Sequence, residues 1–370
     1  SSDLADKREL KHPSTCMVSP SKLLFSRKPK LFLAIRFNLI SDHRDFRAES
    51  YSTEKDEAFW RRMRKPRNVH HKDIDFHLTK TKGQHLLMSS KILQKIVISS
   101  EIRPNDTILE VGPGTGNLTL HLLEAAEKVI AVEIDKRMVN ELHNRVTASG
   151  FQDKLSVICE DALRTKFPPF DLVVANIPYG ISSPLIIKLV HGLNQFRSAT
   201  LLLQKEFARR LLANCGDSEY NRLSVNVKIV ANVEHVMDVS KREFLPSPRV
   251  DSSVVIIRPK AKDPSLNLAE WRAFTRALFG NKNKTLGANF KQKRKVLQLL
   301  SLSERRSLKS CEEETGFDES GEEFEVKLFK EKILQVLTDN CFENKRPSNM
   351  CVDEFITLLS LLNQAGIIFS

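Results

Sequence analysis

The stretch at residues 171–179, Asp-Leu-Val-Val-Ala-Asn-Ile-Pro-Tyr, holds the side chains whose chemistry is most informative. Its apolar part, with two adjacent valines, predicts a short buried strand that ends at an amide, a proline and an aromatic ring. Open α/β sheets bind ligands at the carboxyl ends of their strands. Asn176, Pro178 and Tyr179 could therefore hold a flat base that bears an amino group. A turn in which Asn176 caps and Tyr179 packs explains these residues equally well when they are taken alone.

A glycine loop at 112–116 follows another predicted strand, at 107–111. Its glycines fall at positions 1, 3 and 5, whereas a dinucleotide-binding loop needs them at 1, 3 and 6. Glu110 precedes the loop and favours a ligand with a cationic or amino group over a pyrophosphate. Glu133, after the second strand, can accept both ribose hydroxyls, and Asp161, after the third, can accept from an adenine amine. This set predicts S-adenosylmethionine; the alternative is a tight turn with two surface acids.

The predicted base site suits methyl transfer to the exocyclic amine of adenine. That amine is a poor nucleophile because its lone pair is delocalised into the ring. Oxygens from the Asn176 side chain and the Pro178 backbone could accept its two N–H groups, which favours a pyramidal nitrogen with a directed lone pair. A sulfonium donor needs no strong base, so an amide serves better than a carboxylate. Tyr179 and Phe244 would stack on the two faces of the base, worth about 1–3 kcal/mol per base; Phe244 as a core residue is the alternative.

Strands that alternate with helices predict a parallel sheet covered on both faces. Two later strands are predicted, and two helices near the end of the sequence. The predicted strands are 107–111, 129–132, 155–159, 171–175, 223–230 and 253–258, and the predicted helices are 89–100, 118–126, 137–147, 324–337 and 352–362.

Length and composition fit a globular protein with a nucleic-acid partner. The 370 residues suffice for two domains, and the net charge of +12 favours a polyanion such as nucleic acid or an acidic membrane surface. The six cysteines are scattered, with no Cys-x-x-Cys pair, so we expect neither a metal site nor a disulfide framework. No apolar run reaches the roughly 18–20 residues that span a bilayer, so we expect no membrane partner.

The first part of the sequence differs from the rest. Residues 10–41 contain no Asp or Glu and alternate basic with apolar residues, which is typical of an organellar transit peptide. Acids before residue 10 interrupt the pattern, and a start at Met17 would remove them. A disordered basic arm that contacts RNA is the alternative for residues 1–59. A second basic segment, 60–82, contains three histidines, to which we assign no metal.

Charge changes sign within the last third of the sequence. Residues 271–303 hold eight basic residues and no acid, which favours a surface that follows phosphates over an ordinary exposed helix face. The candidate RNA-binding residues are Arg272, Arg276, Lys282, Lys284, Lys291 and Lys293. Residues 304–331 then carry ten acids against five bases and predict a mobile linker or a solvated helix.

The ordered motifs closely resemble those of the small-subunit rRNA adenine dimethyltransferases of the eukaryotic type. The resemblance covers about residues 82–300 and resumes at 352–370, and the acid-free amino-terminal region points to a mitochondrial member. Each motif is moderately specific, and their order makes the set strong. The motifs lie at 83–87, 110–116, 133–135, 160–163, 176–179, 181–184, 204–208 and 244–254.

The resemblance implies a doubly wound, Rossmann-like class I methyltransferase domain at 60–260 and a smaller helical RNA-binding domain at 261–370. It also implies that the strand at 253–258 runs antiparallel to its neighbours. It implies dimethylation of two adjacent adenosines near the 3′ end of small-subunit rRNA, within a pre-ribosomal particle, by a monomer. Asn176, Pro178, Tyr179 and Phe244 would form the base pocket. The implied cofactor-binding residues are Gln84, His85, Leu86, Glu110, Gly112, Gly114, Glu133, Ile134, Asp161, Ala162 and Asn176.

Other functions share parts of this pattern. A ribosome-assembly or mitochondrial transcription factor could keep the fold and dispense with catalysis. A methylase of large-subunit rRNA or of DNA would share the Asn-Ile-Pro-Tyr motif, although residues 182–184 and 352–370 favour the small-subunit group. The mitochondrial matrix is the expected location, with the nucleolus as the alternative.

Overall fold

The computed structural model describes residues 85–261, 266–293, 296–297, 299–300 and 319–369. The predicted presequence or arm, the basic segment 60–82, Gln84 and residues 304–318 of the predicted acidic linker lie outside this range. The strands are β1 (Leu86–Leu87), β2 (Thr107–Val111), β3 (Lys128–Val132), β4 (Leu155–Ile158), β5 (Leu172–Asn176), β6 (Ser198–Gln204), β7 (Ala231–Val239), β8 (Phe244–Leu245) and β9 (Ser252–Pro259). The α-helices with assigned bounds are α1 (Ser90–Ser99), α2 (Asn117–Ala125), α3 (Lys136–Ala148), α4 (Ser182–Val190), α5 (Lys205–Leu212), α6 (Arg222–Lys228), α7 (Leu268–Phe279), α8 (Leu286–Phe290), α9 (Glu319–Asp339) and α10 (Val352–Gln364).

A seven-stranded sheet has the order β4-β3-β2-β5-β6-β9-β7. The first five strands in this order are parallel. At one edge of the sheet β9 pairs antiparallel with β6, and β7 pairs antiparallel with β9. The predicted parallel sheet and the predicted antiparallel strand near residue 253 are confirmed. The chain leaves β2 toward β3 and β4 and returns to β5 on the other side of β2. This change of direction places a ligand-binding crevice at the carboxyl ends of β2 and β5.

The strand predicted at 223–230 is wrong, because this segment is helix α6. Its apolar residues alternate as they do in a strand, but the helix is buried on several sides, from Ser224 to Val227. Asn221 starts the helix, since its side chain accepts from the backbone N–H groups of Leu223 and Ser224. The Ser224 hydroxyl accepts from the backbone of Asn221 and completes a capping box. The strand begins only at β7.

A two-stranded ribbon joins distant parts of the chain beside the sheet. In this ribbon Leu86 pairs with Leu245 and Leu87 with Phe244, in antiparallel register. The backbone N–H of Met88 extends the pairing, because it donates to the carbonyl of Glu243 at 2.8 Å. The segment before α1 is therefore held over the carboxyl edge of the sheet.

Both faces of the sheet are buried, and alternate residues of β5 point into two apolar clusters. Val173 belongs to the cluster that also contains the aromatic residues of the carboxyl-terminal helices, whereas Val174 belongs to the cluster under α1 and α2. Phe274 of α7 and Phe355 of α10 are fully buried in the first cluster. The helices after residue 261 therefore share one continuous core with the sheet.

The two helices predicted at the end are confirmed as α9 and α10. Since α9 begins at Glu319, the second half of the predicted acidic linker is helical. Among the residues described above, no helix combines the length and apolarity that crossing a bilayer requires.

The aromatic cluster should dominate the stability of the carboxyl-terminal helices. We expect Phe274→Ala to lower the free energy of unfolding by about 3–5 kcal/mol, because it leaves a cavity where the side chain is 0% exposed. The matched control is Phe324→Ala, since the Phe324 side chain is 68% exposed and its loss should cost less than about 0.5 kcal/mol. Urea unfolding followed by tryptophan fluorescence measures both, and equal losses would contradict the assignment of this core.

Candidate functional site

A cavity of about 480 Å³ opens at the carboxyl ends of β2, β3, β4 and β5. It brings together side chains that follow four different strands, as the change of chain direction between β2 and β5 requires. The predicted residues that line it are His85, Leu86, Glu110, Gly112, Gly114, Glu133, Ile134, Asp161, Ala162, Asn176, Pro178 and Tyr179.

At Gly112 and Gly114 the glycine loop passes too close to neighbouring atoms for either residue to carry a side chain. Gly112 has φ +72°, and a Cβ there would lie 3.0 Å from Cδ of Pro178. Gly114 has φ +57°, and its Cβ would lie 2.8 Å from Cδ2 of Leu86. Both residues need the left-handed conformation that glycine adopts without strain. The loop backbone therefore forms one wall of the cavity, in contact with the base motif on one side and with β1 on the other.

Two acids of the cavity are held by backbone N–H groups. The Glu133 carboxylate accepts from Asp135 at 3.0 Å through Oε1 and from Gly114 at 3.3 Å through Oε2. Burial raises the pKa of Glu133, and these two backbone hydrogen bonds act in the opposite direction. Oδ1 of Asp161 accepts from the backbone of Leu163 at 2.9 Å. Each carboxylate has a fixed orientation and keeps further lone pairs for a ligand.

Glu110 is the most buried acid of the cavity, with 1% of its surface exposed. Burial raises the pKa of its carboxyl to about 8; the nearby Thr119 hydroxyl lowers it, and the charge of Glu133 raises it further. Oε2 of Glu110 has no hydrogen-bond partner among the described residues. A buried polar atom without a partner is costly in a folded protein and often marks a functional site. It fits a ligand that presents a cationic or amino group.

The amide of Asn176 has a defined orientation. Its Nδ2 donates to the backbone carbonyl of His85 at 3.0 Å, so Oδ1 is the atom that remains to accept from a ligand. The Tyr179 hydroxyl is 2.8 Å from Oγ of Ser252, and burial raises the pKa of the Tyr179 phenol. Asn176, Pro178 and Tyr179 thus present one acceptor and one ring at the edge of the cavity.

A histidine ring stacks on Tyr179. The ring centroids of His85 and Tyr179 are 5.8 Å apart, with 29° between their planes. Nδ1 of His85 donates to the carbonyl oxygen of Pro246 at 2.8 Å. A carbonyl can only accept, so Nδ1 carries a proton.

The predicted stacking position of Phe244 requires correction. Its side chain is 4% exposed, belongs to the apolar cluster under α1 and does not line the cavity. In the short strand β8 successive side chains face opposite sides, so Phe244 points inward while Leu245 is 49% exposed. In this structure Phe244 is a core residue, and His85 supplies the ring next to Tyr179.

The candidate RNA-binding residues lie along α7 and the segment after it, and none of them lines the first cavity. Nζ of Lys282 donates to the carbonyls of Ser218 and Tyr220, both at 2.8 Å, and Lys291 pairs with Glu343. These two lysines hold protein segments together. Arg272, Arg276, Lys284 and Lys293 are exposed.

Two cations that position the cavity walls were not predicted. Arg145 of α3 donates to the carbonyl of Thr115 at 2.6 Å and to Oδ1 of Asn117 at 2.8 Å, beneath the glycine loop. Lys188 of α4 donates to the carbonyls of Ala162 and Thr165, at 2.7 and 2.5 Å. Lys188 is the single charge in an otherwise apolar helix, a signal that sequence reasoning could have used. Arg145 gave no such signal, because its partners are about thirty residues away along the chain.

The described part of the chain contains no candidate metal site. There, no group of three or more His, Cys, Asp or Glu side chains is arranged to hold an ion.

The buried carboxyl of Glu110 should make stability fall as pH rises. Its pKa is about 8 in the folded chain and about 4.5 in an unfolded one, so between these values the folded state binds more protons. The unfolding free energy should therefore decrease from pH 4.5 to pH 8, by up to roughly 1.4 kcal/mol per pH unit from this group. Glu110→Gln should remove this part of the decrease.

Urea unfolding at several pH values without ligand measures the effect. The matched control is Glu127→Gln, which changes the same charge at an exposed position and should keep the wild-type pH dependence. A Glu110→Gln curve parallel to the wild type would show that Glu110 is not a buried titrating acid.

Comparisons with known proteins agree with this geometry. Residues 76–320 match the family described as ribosomal RNA adenine dimethylase. The protein named "Ribosomal RNA small subunit methyltransferase, mitochondrial" from Arabidopsis thaliana is 58% identical over 306 residues, which cover 79% of this chain and 80% of the relative. A second Arabidopsis thaliana protein, "Ribosomal RNA small subunit methyltransferase", is 43% identical, with 83% of this chain and 96% of the relative covered.

The fold has a solved counterpart. The crystal structure of a dimethyladenosine transferase from Plasmodium falciparum is 40% identical and superimposes with a TM-score of 0.68 over 77% of this chain and all of that one. This similarity confirms the predicted doubly wound, Rossmann-like methyltransferase sheet followed by a helical region. With a family match over more than half of its length and relatives at these identities, the chain belongs to the ribosomal RNA adenine dimethylase family.

Proposed function

We propose that this chain transfers methyl groups from S-adenosylmethionine to the N6 amino groups of two adjacent adenosines near the 3′ end of small-subunit rRNA, giving N6,N6-dimethyladenosine. The observation that carries the proposal is the anchored amide of Asn176. With Nδ2 bound to the carbonyl of His85, Oδ1 is held as an acceptor at the edge of a cavity suited to a nucleoside. Family membership supports the same reaction.

The cavity residues fit S-adenosylmethionine, which would supply an electrophilic methyl group on positively charged sulfur. Glu133 would accept from the ribose hydroxyls, and Asp161 from the adenine amine. Ile134, an apolar side chain that is 67% exposed at the cavity wall, would cover a face of the adenine. The unpartnered Oε2 of Glu110 would take a donor from the methionyl amino group, beside the backbone of the glycine loop at Gly112.

The chain's own residues would act on the target amine by positioning it. Oδ1 of Asn176 and the carbonyl of Pro178 would accept its two N–H groups, which draws the lone pair out of conjugation with the ring and toward the methyl carbon. Tyr179, fixed through Ser252, would support one face of the base. The proton on the methylated nitrogen can leave to water after transfer, so no general base is required.

The RNA context and location are also proposals. We infer that the substrate is rRNA in a pre-ribosomal particle, bound by a monomer through the exposed basic residues of α7 and beyond. A mitochondrial matrix location is supported by the acid-free residues 10–41 and by the name of the 58% identical relative. The intact geometry at Asn176 favours catalysis over a purely structural role in ribosome assembly.

Removal of the Asn176 amide should stop the chemistry and spare the cofactor. We expect Asn176→Ala to lower methyl transfer to a small-subunit rRNA fragment by roughly 10²–10³-fold, the usual effect of losing one transition-state hydrogen bond. Affinity for S-adenosylmethionine, measured by calorimetry, should change less than about threefold, because Glu133 and Asp161 remain. Asn283→Ala, at an exposed position after α7, is the matched control and should retain wild-type activity. Dimethylation by Asn176→Ala at a near-normal rate would refute this role.

Depletion of the protein in its own cells should identify the rRNA pool. We expect dimethyladenosine to disappear from mitochondrial small-subunit rRNA and to persist in the cytosolic pool, as measured by primer-extension arrest at the modified sites. Loss from the cytosolic pool alone would replace the matrix with the nucleolus. Restoration of ribosome assembly by Asn176→Ala would show that binding, and not methylation, is the main role.

A further inference from the structure

A second cavity, also of about 480 Å³, lies between α4, α6 and α7, and the proposed reaction makes no use of it. Two arginines, Arg222 and Arg276, line it together with the apolar side chains of Ile187, Leu223 and Phe279. Within the described chain no acidic side chain lines this cavity. A pocket with a cationic and an apolar wall suits an anion that carries a ring, which is the chemistry of a nucleotide.

The two cavities lie next to each other at the start of α4. Ile181 lines the first cavity and Ser183 lines the second. Two residues span at most about 7 Å, so the walls meet at the start of α4. The short turn Tyr179–Ile181 leads directly from the base motif into α4. An RNA strand with one base at Tyr179 would reach the second cavity within about one nucleotide.

The two arginines are available to a ligand. Arg222 and Arg276 are exposed, and neither forms a salt bridge with another of the described residues. Lys282, which also lines the cavity, is occupied by the carbonyls of Ser218 and Tyr220. A guanidinium presents a planar fork of donors that matches phosphate oxygens, so this pair fits a phosphodiester.

Two other residues that line this cavity, Phe279 and Asn226, are held in place by their neighbours. The Phe279 ring packs against the rings of Tyr220 at 6.0 Å and Phe355 at 5.5 Å, which fix its position. Asn226 is buried, and its Oδ1 accepts from the Thr275 hydroxyl at 2.9 Å. The amide nitrogen is then the group that Asn226 offers to a ligand. Preorganised walls reduce the ordering cost of binding.

We propose that the second cavity binds the nucleotide next to the target adenosine on the same RNA strand. Arg222 and Arg276 contact its phosphodiester, and Phe279 supports its sugar or base. This inference rests on the proposed function, because it requires an RNA adenosine in the first cavity. Occupation of both cavities sets the register of the strand, so that one nucleotide of a neighbouring pair is held while the other is presented to Asn176.

The test couples the arginines to one phosphate. Binding is measured for a small-subunit rRNA fragment with its natural backbone and for fragments with a neutral methylphosphonate on the 5′ or the 3′ side of the target adenosine. For the wild type, we expect neutralisation on one side to weaken binding about tenfold or more, the usual effect of losing a hydrogen bond to a charged group. In the double variant Arg222→Gln and Arg276→Gln, the same neutralisation should change affinity less than twofold.

Controls separate this site from general attraction and from misfolding. Arg103→Gln removes an exposed arginine just before β2, at the amino edge of the sheet, and should respond to the neutral linkage as the wild type does. The double variant should keep its affinity for S-adenosylmethionine, and its binding should show a salt slope lower by about one per arginine.

An equal effect of the neutral linkage in the wild type and the double variant overturns the proposal, as does the absence of any effect on either side in the wild type. Failure of the wild type to methylate the natural RNA contradicts the proposed function itself, which is a separate result.

Discussion

The hydrogen bond from Nδ2 of Asn176 to the carbonyl of His85 joins two segments that lie 91 residues apart in the chain. It fixes the amide so that the oxygen is left to accept, and it holds the β1 segment over the carboxyl edge of the sheet. Leu86 then contacts the glycine loop at Gly114, and the ring of His85 lies on Tyr179. Under the proposed function this contact sets the acceptor for the target amine, whereas the pairing of β1 with β8 holds the cover of the proposed cofactor cavity, so the two binding events would share a wall.

The two cavities are lined by charged residues of opposite sign. The first cavity is lined by the acids Glu110, Glu133, Glu160 and Asp161, and the second by arginines. Under the proposed function, a cationic methyl donor and a polyanionic RNA would be drawn to different places, a few residues apart at the start of α4. The overall charge of +12 would attract RNA to the molecule as a whole, whereas the acids that line the first cavity would disfavour phosphate in the proposed donor site.

The sequence predicted those parts of the fold and site that depend on local pattern. Buried runs such as 172–176, the glycine loop and the acid after each strand follow from periodicity and from one rule about strand ends. The predicted helices and every predicted strand except 223–230 agree with the structure. Helix α6 was missed because its apolar residues alternate as they do in a strand, although the helix is buried on several sides. Phe244 was misplaced because its direction is set by pairing with Leu87, 157 positions earlier, which no local pattern reports. The charge of Lys282 suggested a contact with RNA, but its ammonium group donates to two backbone carbonyls of the protein, a role that only the packing reveals.

The ribbon of β1 and β8 has a consequence for the order in which the protein can fold. Leu86 closes one side of the cofactor cavity, yet its strand partner is Leu245, so the pairing closes a loop that contains most of the sheet. Contacts of such long range form late, because the entropy of closing the loop must be overcome first. During synthesis the amino-terminal part of the chain emerges first. The glycine loop and the acids of the first cavity would therefore be made well before β8, the strand that pairs with β1 and completes their cover. Under the proposed function, cofactor affinity would therefore be acquired only after β8 docks, so that cofactor binding would indicate nearly complete folding.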